Sequence, residues 1–492
     1  MFSHLKNTVA GILIASGLSI TYAVGSALPD AMQKGDVEQL TKLLESGADP
    51  NEAQSDGTTA IIWSAYHTNP QAIKLLLEKG AHPTTKNQFG VHAISIACQN
   101  GDLESTKLLI DAGADPNGTL EGGETLLHSA ARNGNEKLVQ YLLDKKAKLD
   151  NLADGKQTAL MWAASAGNLA AVDTLLKAGA DPEAVSKGGI AAMHYAARAG
   201  RISVVKRLLK AGVDVDSPIN WKGSKRNTFP ANKSTPLVLA IENAEFELAV
   251  ELLKAGANAN DMATGYSPLH ILAWVRKADT GDSTLPGPVN HSRVSSTDFI
   301  LALIKHGAKL NARLPRGSSS PGKFSPRGTT PFFSAADRGD LEFMKILVAH
   351  GADAKLPNAD GTTPLMVAAG VGRGAENDEA GTQEEMIEAV RYCIELGMDV
   401  NAVDENGETA MHGAAYGQWP DMVEFLDEQG ADINIWNKRN KYKWSPLLIA
   451  RGYRRGNFKP SYKTAKAIET IMVKKDHSID VTPPKPKKGY GN

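Results

Sequence analysis

The stretch Gly123-Glu-Thr-Leu-Leu-His-Ser-Ala-Ala-Arg-Asn-Gly134, followed by Lys137-Leu-Val-Gln-Tyr-Leu-Leu143, decides how this chain folds. One period earlier the sequence reads Gly90-Val-His-Ala-Ile-Ser-Ile-Ala-Cys-Gln-Asn-Gly101, and one period later Thr158-Ala-Leu-Met-Trp-Ala-Ala164. The step is constant: Gly57, Gly90 and Gly123 are 33 apart, as are Thr125 and Thr158. Each opening glycine supplies a turn conformation that other residues resist. The threonine caps a first helix, and the leucine and paired alanines let neighbouring helices approach closely. A second helix follows with apolar residues at i, i+3 and i+4, as in Ile73, Leu76 and Leu77. It stops at a Gly-Ala-Asp or Gly-Ala-Asn step, with glycine as the left-handed cap. Two short helices and a turn every 33 residues cannot bury their apolar faces alone, so they must stack.

Openings recur at Thr59, His92, Thr125, Thr158, Ala191, Thr235, Ser267, Thr330, Thr363, Thr409 and Ser445, behind a degenerate unit at Leu28 to Leu44. That makes about twelve units over residues 28–476. Two break the pattern: Lys146 replaces a cap glycine and Ala191 a capping threonine, each at a cost of about 1 kcal/mol. The motifs Gly57-Thr-Thr-Ala-Ile-Ile-Trp63, Thr363-Pro-Leu-Met-Val-Ala-Ala369 and Thr409-Ala-Met-His-Gly-Ala-Ala415 resemble the ankyrin-repeat family. The resemblance implies an all-α repeat solenoid with β-turn fingers, serving as a binding scaffold without catalysis or cofactor. The opening Asp30-Ala-Met-Gln-Lys-Gly-Asp36 is similar to exported bacterial ankyrin-repeat proteins, as are Ile271-Leu-Ala-Trp-Val-Arg-Lys277 and Val403-Asp-Glu-Asn-Gly-Glu-Thr409.

The totals exclude other classes. With 54 Lys and Arg against 55 Asp and Glu, no global field attracts nucleic acid or membrane. The two cysteines, Cys98 and Cys393, lie far apart on apolar helix positions and read as buried free thiols. The weakly positive start, the uncharged run Val9 to Val24 and the small residues Ala23-Val-Gly-Ser-Ala27 fit a signal peptide over 1–27. The run is shorter than the roughly 20 residues a spanning helix needs. The expectation is an exported monomer, periplasmic or extracellular, with no membrane span once the segment is removed. The tail, residues 477–492 with Pro483-Pro-Lys-Pro-Lys-Lys488, has the composition of a disordered linker.

Five insertions depart from the period. Three lengthen fingers, at 217–233, 312–328 and 435–444, and two fall between paired helices, at 274–298 and 371–385. The finger inserts hold cations and no Asp or Glu: Lys222, Lys225, Arg226 and Lys233; then Arg313, Arg316, Lys323 and Arg327; then Lys438, Arg439, Lys441 and Lys443. The insert at 371–385 is acidic, with Glu376, Asp378, Glu379, Glu384 and Glu385. This split points to basic fingers overhanging a groove and holding an acidic protein along roughly 50 Å, or alternatively an anionic polysaccharide or envelope polymer. Trp221, Phe229, Phe324, Trp436, Tyr442 and Trp444 are candidate anchors beside those cations. Groove-facing positions after the alanine pair are Tyr66, His67, Arg132, Arg198, Trp274, Arg338 and Tyr416.

The recurrent His128, His194, His270 and His412 stand one per unit, which separates their rings by a stacked repeat and argues against a metal site. The resemblance implies that they tie neighbouring loops. No catalytic motif or phosphate loop occurs. Gly370-Val-Gly-Arg-Gly374 follows a helix instead of a strand and reads as a flexible hinge.

Overall fold

Each period becomes a helix pair in the computed structural model, which describes residues 26–221, 232–279, 287–374, 380–454 and 459–483. The chain divides into two compact units after Asp181. In the first unit the leading helices of successive repeats are α1 (Ala27–Gln33), α3 (Ala60–Tyr66), α5 (Ala93–Asn100), α7 (Leu126–Asn133) and α9 (Ala159–Ala166). Behind them run α2 (Val37–Glu45), α4 (Pro70–Glu78), α6 (Leu103–Asp111), α8 (Glu136–Asp144) and α10 (Leu169–Lys177). Leading helices pack on leading helices, and trailing on trailing.

The second unit repeats this with seven pairs. They are α11 (Ala192–Arg198) with α12 (Ile202–Lys210), α13 (Pro236–Glu242) with α14 (Phe246–Lys254), and α15 (Pro268–Arg276) with α16 (Ser296–Lys305). Next come α17 (Pro331–Asp337) with α18 (Leu341–Ala349), and α19 (Pro364–Ala368) with α20 (Gln383–Glu395). Then follow α21 (Ala410–Gly417) with α22 (Pro420–Glu428), an added turn α23 (Ile433–Trp436), and α24 (Pro446–Ala450) with α25 (Tyr462–Lys474).

The core is built from the residues that the repeat makes apolar. Leu126, Leu127, Ala130 and Ala131 of α7 are at most 1% exposed, because the alanines bring the next backbone close enough to exclude water. The fingers contain isolated bridges such as Thr119 to Thr125, and no longer strand occurs among the described residues. Both expected irregularities are present. Lys146 takes φ 67, the left-handed conformation its neighbours give to glycine. Ala191 has no capping oxygen, and its N–H instead donates to Nδ1 of His194 at 3.1 Å. Cys98 and Cys393 are buried and unpaired by disulfide, and burial raises the Cys98 thiol to about 12.

Insert limits shift where a helix is longer than the period predicts. Trp274 and Arg276 complete α15, Ser296 begins α16, Gln383 begins α20, and α23 occupies the start of the third finger insert. Residues 477–483, read as part of the tail, return to that finger: Arg439 holds Asp480 at 2.8 Å and the Thr482 carbonyl at 2.8 Å. The expected leader lies mostly outside the described residues, as do Lys222, Lys225, Arg226, Phe229, Glu376, Asp378 and Glu379.

Candidate functional site

Residues at the ends of the leading helices differ in what they already hold. His67 is exposed, with Nε2 at 3.1 Å from the Gln33 carbonyl, and its ring lies against half-buried Tyr66. Arg132 donates from Nη2 to Glu124 at 3.3 Å and lies 4.8 Å from the Trp162 ring. Arg198 and Trp274 are exposed. Tyr416 departs from the expectation that it faces the groove as a binding residue. It is fully buried, because its hydroxyl donates to Glu408 Oε1 at 3.0 Å and the Arg454 guanidinium sits 5.6 Å from its ring.

That tyrosine belongs to a polar cluster that the sequence reading missed. Glu408 is 4% exposed; its Oε1 also accepts from Asn440 at 2.8 Å, while Oε2 has no partner among the described residues. Burial, with Asp404 nearby, pushes its carboxyl up to about 8. The signal was available in the fourth repeat. Glu124 likewise precedes the capping threonine, but the residue eight positions on is Arg132 instead of tyrosine.

Three of the four recurrent histidines are structural ties, as the resemblance implied, whereas buried His412 meets Thr409 Oγ1 through Nδ1 at 2.9 Å and its Nε2 has no hydrogen-bond partner among the described residues. Nε2 of His128, His194 and His270 lies 3.0, 2.9 and 3.1 Å from the carbonyls of Gln157, Ser217 and Thr329 in the following finger. Those carbonyls accept, so Nε2 carries the proton, and burial lowers all three pKa values. No group of three or more metal-binding side chains occurs among the described residues.

The second basic finger is the main departure from an open trough. Its base is pinned by Leu314 N–H to Thr329 O at 3.0 Å, and Arg313 donates to the Pro357 carbonyl at 2.6 Å. Beyond the base the finger folds inward. Ser325 N–H reaches Asp360 at 3.1 Å, and the Ser325 carbonyl accepts from Asn358 at 2.9 Å. Phe324 meets the edge of Phe333 in α17, with centroids 5.2 Å apart. It also lies over Gly372 in the turn after α19, where an added Cβ would stand 2.4 Å from the Phe324 ring. The side chain seeks apolar cover and the missing Cβ provides it. Arg316, Lys323 and Arg327 remain exposed.

Gly372 belongs to the segment expected to be a hinge, and this segment is packed. Arg373 is 3% exposed, lies 4.5 Å from the Trp419 ring and donates to the Ala380 carbonyl. Replacing Gly372, which has φ +100, with Ala is expected to release the finger: both the steric clash and the backbone strain act, at about 1–2 kcal/mol. Proteolysis within 312–328 should accelerate while cleavage of the first unit does not change.

Between finger and helices lies a cavity of about 360 Å³. Ser318, Lys323, Phe324 and Pro326 line it from the finger, Asp337 and Arg338 from the end of α17, and Asp279, Gly372 and Ala380 from the turns of adjacent repeats. Arg338 donates from Nη1 to the Lys277 carbonyl and to Asp279 at 2.9 Å. Lys277 in turn pairs with Glu385 at 2.7 Å, so this acidic residue is matched within the protein.

On the third finger Lys438 and Lys443 are exposed, Arg439 holds the returning tail, and Lys441 donates to Asn406 at 3.3 Å. Trp436 and Trp444, expected as surface anchors, are 2% and 7% exposed and form the finger's own core.

A three-copy ankyrin-repeat family model matches residues 28–119, 94–186, 127–219, 193–280 and 292–376, and a many-copy one matches 380–426. Protein phosphatase 1 regulatory subunit 12A of Rattus norvegicus is 28% identical over 160 residues, covering 32% of this chain and 14% of that protein. The B-cell lymphoma 3 protein homolog of Mus musculus is 31% identical over 136 residues, 27% of this chain and 24% of that protein. The chain thus spans less than a quarter of the length of either relative. Among solved structures, the human ASB11 ankyrin repeat domain aligns at 22% identity over 47% of this chain and 99% of its own, with a TM-score of 0.41.

Proposed function

Since the chain belongs to the ankyrin-repeat family, we propose that it is an exported, non-catalytic scaffold holding an acidic protein partner through its second unit. The observation that carries this reading is the exposure of Arg316, Arg327, Lys438 and Lys443 on fingers that contain no acidic residue. Such charges accelerate encounter and weaken with salt. Export rests on the apolar run Val9 to Val24 and the small residues after it. A protein partner is favoured over a polysaccharide because the tryptophans a sugar would stack on, Trp436 and Trp444, are buried.

The test is crosslinked capture from an extracytoplasmic extract with the full chain and with an Arg316→Glu, Arg327→Glu, Lys438→Glu variant. These side chains are exposed, so the fold should persist. Capture should fall about tenfold in the variant, and likewise for the unaltered chain between about 50 and about 500 mM salt. Equal capture in all conditions would remove the electrostatic reading, and capture of anionic glycans alone would replace the protein partner.

A further inference from the structure

We infer that the cavity beneath the second finger receives a single carboxylate, the acidic side chain of an extended segment of the partner. This rests on the protein-binding reading and names the residue class that the site takes.

The receptor is Arg338. Its Nη1 is fixed by the Lys277 carbonyl and by Asp279 at 2.9 Å, while Nε and Nη2 have no partner among the described residues. Those two N–H groups form the parallel edge of a guanidinium that matches the two oxygens of a carboxylate. The side chain is 16% exposed, so the edge is already positioned and little ordering remains to be done on binding. The same chain shows this pairing elsewhere: Arg276 grips Asp340 through Nε at 2.6 Å and Nη2 at 3.1 Å.

The rest of the lining selects among anions. Lys323 adds positive charge from the finger, and Phe324 and Pro326 supply apolar wall that strengthens a charged hydrogen bond by excluding water. Asp279 and Asp337 both place carboxylates in the same lining. Their charge disfavours a dianionic phosphate more than a single carboxylate. The volume, about 360 Å³, suits one residue with its flanking backbone better than a lone ion.

The probe is the N-acetylated, C-amidated peptide Gly-Ser-Glu-Ser-Gly, compared with versions bearing Gln or phosphoserine at the centre. Each is titrated against the full chain at low salt by saturation-transfer NMR. The Glu peptide should bind about tenfold more tightly than the Gln peptide and more tightly than the phosphoserine peptide. Lys323→Gln should weaken the Glu peptide about fivefold, and Arg338→Met should abolish the Glu-over-Gln preference. Arg338 also holds the Asp279 turn, so if that variant does not fold, the exposed Lys323→Gln variant decides. Equal binding of the Glu and Gln peptides, tighter binding of phosphoserine, or indifference to Lys323→Gln would each overturn the assignment. Peptide binding is read without the partner. Failure here with persistent salt-sensitive capture removes the pocket alone, whereas failure of capture removes the scaffold reading.

Discussion

Glu408→Gln is expected to make the second unit increasingly more stable than the parent's as pH rises from about 4.5 to about 8. Folded, the carboxyl titrates near 8; unfolded, it returns to its ordinary 4.5. Between these values the folded chain keeps a proton that the unfolded chain has released, so stability falls with rising pH. Over the whole window the difference is on the order of 4 kcal/mol. Glutamine retains the acceptor for Tyr416 and Asn440 and never ionises. Urea midpoints at pH 5 and 8.5 check this: the variant should match the parent at the lower pH and exceed it at the higher. A variant that keeps the parent's alkaline slope would show that Glu408 does not titrate as described. The acid side has a different origin. Burial lowers His270 and His412 to about 4 from 6.5, so stability they contribute above 6.5 is lost as pH falls toward 4.

Arg276→Met should be the most damaging single change in the second unit. Arg276 and Asp340 are 8% and 4% exposed in their side chains, and the guanidinium also holds Glu342 at 2.8 Å. Methionine replaces the stem but leaves the Asp340 carboxylate buried with only its helix-capping bond to Phe343 N–H. Breaking such a pair costs about 3–5 kcal/mol. Hydrogen exchange should then accelerate in α16 and α18 while the first unit keeps its protection. Adding Asp340→Asn should restore much of the loss, since the stranded charge and not the missing contact dominates. No recovery in the double variant would place the cost in packing instead.

The repeat pattern revealed its helices because it repeats. Leu126, Ala130 and Ala131 state the same packing instruction as their counterparts in every period, so the alternation of leading and trailing helices is legible from spacing. What escaped is specific to single repeats. What a carboxyl beside the capping threonine bonds to depends on the side chain eight residues on. Arg132 makes Glu124 half of an ion pair, whereas burial beside Asp404 keeps Glu408 a neutral acid even though the Tyr416 hydroxyl donates to it. The inward fold of the second finger depends on Phe324 finding Gly372, about fifty residues later, and no period relates them. Counting charges identified the finger as basic and did not show that its apolar member would draw it down. The buried Trp436 and Trp444 carry the same lesson: an aromatic beside lysines can serve as an exposed anchor or as filling for its own turn.

Three successive finger junctions of the second unit each carry one backbone-to-backbone link beside their side-chain bonds. Ala359 N–H bonds to Arg327 O at 2.8 Å, Glu405 N–H to Asp360 O at 2.8 Å, and Lys441 N–H to Asn406 O at 2.7 Å. A pull along the stack therefore loads this edge in series, like stitches in a seam, while the opposite edge is braced by arginines bound to carbonyls across repeats. Tension should part the stitches one at a time and bend the strip before any helix unwinds, making this region a yielding spring under load.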